Sequence, residues 1–255
     1  MLIVADIGNS TVHVGLCRDG KIVRVARAPI DEIARGEGAL SVVDGLEAGE
    51  IRATVMATVN PAARGAFIDW SRKVVGLVPE EIGGKIPVPI RADVDRPEEV
   101  GVDRLLNAFS AFERYGSPCI VVDFGTAITL DGVSSEGAYV GGAIAPGLRL
   151  SAEALWDRAA MIPPVEIQPT EEVIGRNTET AVRIGVIQGA VGLVDRLVRR
   201  MRPALGGEAR VIATGGDADL VAPLSEVIGE VIPELTLDGL RIAYERSVPG
   251  GGSHG

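Results

Sequence analysis

Cysteine and histidine are nearly absent: Cys17, Cys119, His13 and His254 are the whole complement in 255 residues. Without clustered His and Cys there is no zinc-binding pattern, and with no His near a Ser or Cys motif a triad hydrolase is disfavoured. Both cysteines fall in apolar runs that read as strands, which implies buried thiols in a reducing compartment and no disulfide framework. Positive charge is outweighed as well, with 25 Lys and Arg against 35 Asp and Glu and a net charge of -10. A nucleic-acid groove needs a basic footprint and an anionic membrane surface repels such a chain, so neither nucleic acid nor membrane is expected as a partner. No apolar run reaches the roughly 18 residues of a membrane span. The sequence opens directly on MLIVAD, with no room for a signal peptide, so a cytoplasmic location is expected. The common nucleotide signatures are missing too: there is no G-x-x-x-x-G-K-[ST], GGK at 83–85 lacks its context, and no G-x-G-x-x-G follows a strand.

What is present is the mix of a globular protein with a sizeable core, 46% hydrophobic and 24% charged. Within it one pattern occurs twice. In the first copy LIVAD reads as a strand, IGNS as a loop, TVHVGLC as an alternating strand, RDGK as a tight turn and IVRVARA as a third strand. In the second, CIVVD is the strand, FGTA the loop, ITLDGV the next strand, SSEG the turn and AYVGGAI the third. Each copy carries Asp-x-Gly followed by a hydroxyl residue: Asp6, Gly8 and Ser10, then Asp123, Gly125 and Thr126. The hydroxyl spacing differs by one, so this is a structural echo and not an identity. Two three-stranded meanders that open on acidic loops imply two related domains facing a cleft.

Apolar residues at spacings of three and four mark AARGAFIDWSRKVVG, VDRLLNAFSAFERYG, TETAVRIGVIQGAVGLVDRLVRRMR and DADLVAPLSEVIG as helices. The long one ends in Arg196, Arg199, Arg200 and Arg202, cations suited to a helix C-terminus. RVIAT before GGDA is a further strand. The fold class is α/β, mixed sheets with helices packed on them. Helix periodicity stops at YGSP, which places a domain boundary there: 1–115, 116–248, and a Gly-rich tail at 249–255.

An acidic glycine loop between two strands suits phosphate binding. With no side chain at Gly8, backbone amides can approach phosphate oxygens, and Asn9, Ser10 and Thr11 add donors. Asp6 at the strand end can hold a hydrated Mg²⁺ that bridges those phosphates. In GVDR, Asp103 offers a base to accept the proton of an attacking hydroxyl, and Arg104 beside it a guanidinium fork for a substrate carboxylate. Standing alone, the same pair also reads as a solvated helix start with Asp at the positive dipole end. His13, in the second strand, reads as a packed or solvent-facing residue.

Taken together, DIGNS, EVGVDR, DFGTAITLDG, GGAIAPGL, IGRNT and TGGDA, in this order, resemble the signature set of the type III pantothenate kinases, of the actin-like sugar kinase and heat-shock ATPase superfamily. The likeness runs from Asp6 to ELTLDGLRIAYER. It implies two ribonuclease-H-like (actin-like ATPase) domains with ATP between them and a homodimer. The activity implied is ATP-dependent phosphorylation of pantothenate to 4'-phosphopantothenate, the first step of coenzyme A biosynthesis, with Mg²⁺ and a monovalent cation, K⁺ or NH₄⁺. By motif it places Asp6, Ile7, Gly8, Asn9, Ser10, Thr11, Val12 and His13 at the ATP phosphates, with the metal on Asp6. It places Gly101, Val102, Asp103 and Arg104 at pantothenate, Asp123 on the monovalent cation and Thr126 at ATP. Thr178 contacts the substrate, and Gly215 and Gly216 lie near the adenosine end. The sequence departs from the family where Arg96 precedes Pro97 in place of an Asn-Pro pair, where IRADVDR lacks an aromatic, and where Ser-Thr follows Asn9. Two alternatives stay open: a kinase of the same superfamily for another small hydroxyl compound, and a non-catalytic transcription accessory protein, which would have no need of Asp103.

Overall fold

The computed structural model describes residues 1–47 and 49–248. Its first elements are β1 (Leu2–Ile7), β2 (Thr11–Arg18), β3 (Lys21–Pro29), α1 (Ile30–Arg35), β4 (Ala53–Thr58), α2 (Pro61–Val74), β5 (Glu80–Glu81), β6 (Arg91–Ala92) and α3 (Val102–Tyr115). There follow β7 (Cys119–Phe124), β8 (Ala127–Val133), β9 (Ala138–Pro146), α4 (Leu148–Arg158), α5 (Thr178–Ala204), β10 (Arg210–Thr214), α6 (Ala218–Val221), β11 (Glu230–Val231) and α7 (Leu235–Ser247). The chain forms two compact units. Met1–Ile90, Arg96–Ser110 and the segment from Glu234 onward make the first, and Arg91–Asp95 with Ala111–Pro233 the second. A cut at 115/116 differs from this division because β6 pairs in parallel with β9 of the second unit, and because α7 packs on β1 and β4 of the first. Both are long-range pairings that leave no trace in local periodicity. The tail at 249–255 lies outside the described residues.

In the first unit the sheet order is β3-β2-β1-β4-β5. β1, β2 and β3 form the antiparallel meander, and β4 and β5 add in parallel. The RDGK turn puts Asp19 at φ 50° and Gly20 at φ 71°, the left-handed pair that a two-residue hairpin matching the strand twist requires. Alternation sorts the side chains to the two faces. Ile3, Ala5, Ile7, Val12, Val14 and Leu16 pack with Ile33 of α1 and Phe67 and Trp70 of α2. Val4, Val55 and Ala57 pack on the other face with Leu106 and Phe109 of α3 and Leu237, Leu240 and Ala243 of α7. Asn60 caps α2, accepting from the N–H groups of Ala62 and Ala63, and Pro61 fills the first helical position.

The second unit repeats this plan. Its sheet order is β11-β10-β7-β8-β9-β6, with β7, β8 and β9 antiparallel and β10 and β11 parallel. Read from β9 to β11 it is the same meander-plus-parallel arrangement as the first sheet, the ribonuclease-H-like order. Ile120, Val122, Phe124 and Leu130 pack against Leu148 and Ala152 of α4 and the Val182, Val186, Val194 and Val198 stripe of α5. Asn177 caps α5, accepting from Thr180 N–H at 2.8 Å. DADLVAPLSEVIG is not one helix: α6 is four residues long and gives way to a 3₁₀ turn at Ala222–Leu224, because Pro223 cannot continue an α-helical ladder. Cys17 and Cys119 lie buried in β2 and β7 as reduced thiols, and burial pushes each up to about 12, which keeps them protonated and unreactive.

Candidate active site

In the first unit the predicted residues gather at the carboxyl ends of β1 and β4. Gly8 closes the β1–β2 turn, its N–H donating to Thr11 O at 3.0 Å, and a Cβ at Gly8 would stand 3.2 Å from that same carbonyl. Ser10 O accepts from Ile30 N–H at 3.3 Å and Asn9 O from Asn60 Nδ2 at 3.4 Å. The loop therefore turns its carbonyls inward, while Asn9, Ser10 and Thr11 stand exposed. The loop's acceptors are thus tied back, and because Gly8 N–H is itself spent on Thr11 O, the exposed Asn9, Ser10 and Thr11 are the residues left to offer donors to an anion. Ile7 and Val12, by contrast, are core residues, 0% and 1% exposed, whose side chains hold the hairpin down.

Asp6 alternates with Val4, so its side chain emerges on the α3/α7 face. The start of α3 lies at the same corner. Val59, next after β4, donates to Ile7 O at 3.2 Å, and a Cβ at Gly101 would lie 3.8 Å from the Val59 side chain. Asp103 folds back over Gly101: a Cβ there would meet Asp103 Oδ1 at 2.5 Å, so only glycine leaves room for this carboxylate. Asp103 Oδ1 also accepts the Arg104 N–H at 2.8 Å. Asp103 and Arg104 are both half-buried. Gly83, at φ +86°, lets Val102 seat where any Cβ would be 2.5 Å from its Cγ2. The GGK stretch thus supports the Val102 turn and has no phosphate-loop geometry. His13 pairs across the sheet with Asp6 and with Arg27. Burial first, and the Arg27 guanidinium second, push its imidazole down to about 4, so the ring is neutral at pH 7.

In the second unit Asp123 occupies the place in β7 that Asp6 has in β1, paired with Thr129 of β8 and Thr214 of β10. A Cβ at Gly215, whose φ is +94°, would lie 2.4 Å from Asp123 Oδ1 and 2.6 Å from the Phe124 backbone. The space beside that carboxylate therefore exists only because residue 215 is glycine. Thr126 is exposed, and its carbonyl accepts Gly147 N–H at 3.1 Å. A Cβ on Gly147 would be 2.3 Å from Gly125 O, which seats the start of α4 against the 125–126 turn. Gly216 is exposed beside Gly215. Thr178 is the first residue of α5 and lines an apolar groove of about 810 Å³ with Pro146, Leu148, Leu150 and Leu155.

Sequence reasoning passed over Asp217 and Arg149. Asp217 N–H donates to Phe124 O at 3.1 Å, and its carboxylate faces Arg149 Nε at 4.0 Å. Burial raises the Asp217 carboxyl above the usual carboxylate range, with Arg149 opposing. TGGDA contained the signal, since an Asp after two glycines is an acceptor on an open turn.

Metal fit can be judged from the donors. Among the described residues no three His, Cys, Asp or Glu side chains cluster. One carboxylate at a strand end, Asp6, matches a hydrated Mg²⁺ that takes its other ligands from phosphate and water. The glycine-lined space at Asp123 fits a cation bound by one carboxylate and neighbouring oxygens.

A profile of the family described as type III pantothenate kinase matches residues 2–200. The type III pantothenate kinase of Geotalea uraniireducens is 41% identical over 253 residues, covering 97% of this chain and 99% of its own. That of Moorella thermoacetica is 39% identical over 253 residues, covering 97% and 100%. Among solved structures, a Campylobacter jejuni protein described as a Baf family transcriptional activator superposes with a TM-score of 0.64 at 17% identity, covering 96% of this chain and 98% of its own. The activator of 2-hydroxyisocaproyl-CoA dehydratase from Clostridium difficile, solved with ADPNP, gives 0.54 at 13% identity, covering 96% and 94%. These two likenesses show the actin-like ATPase fold. Identity near 40% along almost the whole length, on two meanders whose opening strands β1 and β7 each carry an aspartate one residue before their end and a glycine turn after it, has one reading: the chain belongs to the type III pantothenate kinase family.

Proposed function

We propose that the chain transfers the γ-phosphoryl group of ATP to the primary hydroxyl of pantothenate, giving 4'-phosphopantothenate and ADP, the first step of coenzyme A biosynthesis. The observation that carries this reading is the full-length identity with relatives named type III pantothenate kinase. The corner that unites the Asp6 loop with Gly101, Val102, Asp103 and Arg104 supports it.

Phosphoryl transfer rests on positioning and charge neutralisation, with one proton to remove from the acceptor. Asp103, held by its own helix start, accepts the proton of the pantothenate hydroxyl as the oxygen attacks phosphorus. Arg104 grips the pantothenate carboxylate, and in a chain of net charge -10 that local cation offsets the general repulsion of an anionic substrate. The loop from Asp6 to His13 meets the ATP phosphates through its backbone and the hydroxyls of Ser10 and Thr11. Mg²⁺ on Asp6, when bound, neutralises the charge that develops on the phosphate oxygens. Asp123 holds the monovalent cation, K⁺ or NH₄⁺, and Thr126 contacts ATP. Gly215 and Gly216 lie at the adenosine end, and Thr178 contacts the acceptor. The enzyme works as a cytoplasmic homodimer. The apolar groove of α4 and α5, with Leu150 43% and Leu155 39% exposed, supports the dimer.

The test is a coupled ADP-release assay across pantothenate and a panel of sugars, with Mg²⁺ and with K⁺, NH₄⁺ or Na⁺ as the monovalent cation. Turnover of pantothenate alone, dependent on Mg²⁺ and on K⁺ or NH₄⁺, is expected. Turnover of a sugar in its place would reassign the acceptor.

A further inference from the structure

The turn Gly215-Gly216-Asp217 is bound to the end of β7. Asp217 N–H donates to Phe124 O, and Gly215 sits against Asp123 Oδ1 so closely that no Cβ fits. The Asp217 side chain is only 19% exposed. Although it stands at the N-cap position of α6, it makes no capping hydrogen bond. Its ion-pair partner is Arg149 Nε at 4.0 Å, on a side chain 82% exposed. That separation exceeds hydrogen-bond reach, so Arg149 offsets the charge of Asp217 without occupying its lone pairs. A half-buried carboxylate with unused acceptor capacity is costly unless a ligand supplies donors. The raised Asp217 carboxyl is another mark of this desolvation.

The chemistry of the missing donor is constrained. Asp123 and Asp217 flank the same glycine turn, and two carboxylates repel phosphate. A neutral group with two adjacent O–H donors suits the two oxygens of one carboxylate, the pairing by which acidic residues hold ribose in dinucleotide folds. Resting on the reading of this chain as an ATP-dependent kinase with Gly215 and Gly216 at the adenosine end, we propose that Asp217 binds the ribose hydroxyls of the nucleotide and selects ribonucleotides over their 2'-deoxy analogues. Arg149 is the counter-charge that keeps Asp217 ionised and available to do so.

Steady-state kinetics with ATP and with 2'-deoxy-ATP, at saturating pantothenate, test this on wild type, Asp217→Ala and Asp217→Asn. A hydrogen bond to a charged group is worth about tenfold or more in affinity, so wild type is expected to favour ATP by about that factor, in KM and not in kcat. Asp217→Ala, which loses the contacts to both hydroxyls, is expected to raise the KM for ATP by more than that for 2'-deoxy-ATP, which offers only its 3'-hydroxyl, bringing the ratio within about twofold. Asp217→Asn, which keeps one acceptor oxygen, falls between. An unchanged ratio in Asp217→Ala, or equal losses on both nucleotides, would overturn the assignment. Calorimetric titration of the two Mg²⁺-nucleotides into the same three proteins reads the same ratio without pantothenate. A failed acceptor assignment is thereby told apart from a failed role for Asp217.

Discussion

Acid stability offers a quantitative check on the packing around the Asp6 corner. His13 faces Asp6 on one neighbouring strand and Arg27 on the other, and burial with the Arg27 charge moves its pKa from 6.5 to about 4. The folded-state pKa is depressed for a base, so between those two values the unfolded chain binds the proton and the folded chain does not. Stability then rises with pH across that window, and the penalty on acidification begins below the unfolded pKa and is complete below the folded one. At about pH 4.5 the two-state binding expression gives a loss of about 2.5 kcal/mol relative to neutral pH. Carboxylates titrate in the lower part of the same window, so the informative quantity is the difference between wild type and His13→Asn, which carries no proton equilibrium there. Urea unfolding at about pH 7 and about pH 4.5 should show wild type losing about 2 to 3 kcal/mol more than the variant. Parallel losses in the two proteins would refute the buried, Arg27-facing environment of the ring.

Two other substitutions probe each unit separately. Gly215→Ala places a Cβ 2.4 Å from Asp123 Oδ1 at φ +94°. It should cut kcat by about 10²-fold and weaken activation by K⁺, because displacing a positioned group by an ångström costs that order; near wild-type K⁺ dependence would deny Asp123 its place. Trp70, 1% exposed, donates to Gly38 O at 2.8 Å and stacks on Phe67 at 5.2 Å. Trp70→Ala should cost about 3 to 5 kcal/mol in urea unfolding with the KM for ATP within about twofold, since the ring lies on the α2 side of the sheet away from Asp6. A change in the KM well beyond that would place Trp70 in the site.

The meanders were legible because short apolar or alternating runs such as LIVAD and TVHVGLC are separated by turns that carry their own chemistry, as Asp19-Gly20 and Gly137 show with positive φ. The long helix α5 was legible from its apolar stripe and its arginine-rich end. Other parts have no local signature. β4 reads ATVMAT, four of its six residues buried, and a strand buried on both faces has no apolar–polar period to detect. α7 and β6 belong to units that their position in the chain does not indicate, since their packing partners are far away in sequence. DADLVAPLSEVIG has helical spacing, but Pro223 overrules it. Within the proposed site, the residue types of the loop suggest phosphate binding, whereas GVDR taken alone also reads as a solvated helix start and gains its role only beside the other motifs. The reason residue 101 must be glycine is not legible in residue type, because it depends on where the Asp103 carboxylate folds. Asp217 has no local signature beyond the two glycines before it, because its half-buried place beside Arg149 is a tertiary feature.

Asp103 is the group proposed to take the acceptor's proton. Asp103→Asn keeps the shape of the side chain and an oxygen for the Arg104 N–H but removes the base. In a coupled ADP-release assay with pantothenate, kcat should fall by about 10²- to 10⁴-fold, while the KM for ATP stays within about threefold. Turnover equal to wild type in the Asn variant would contradict that role.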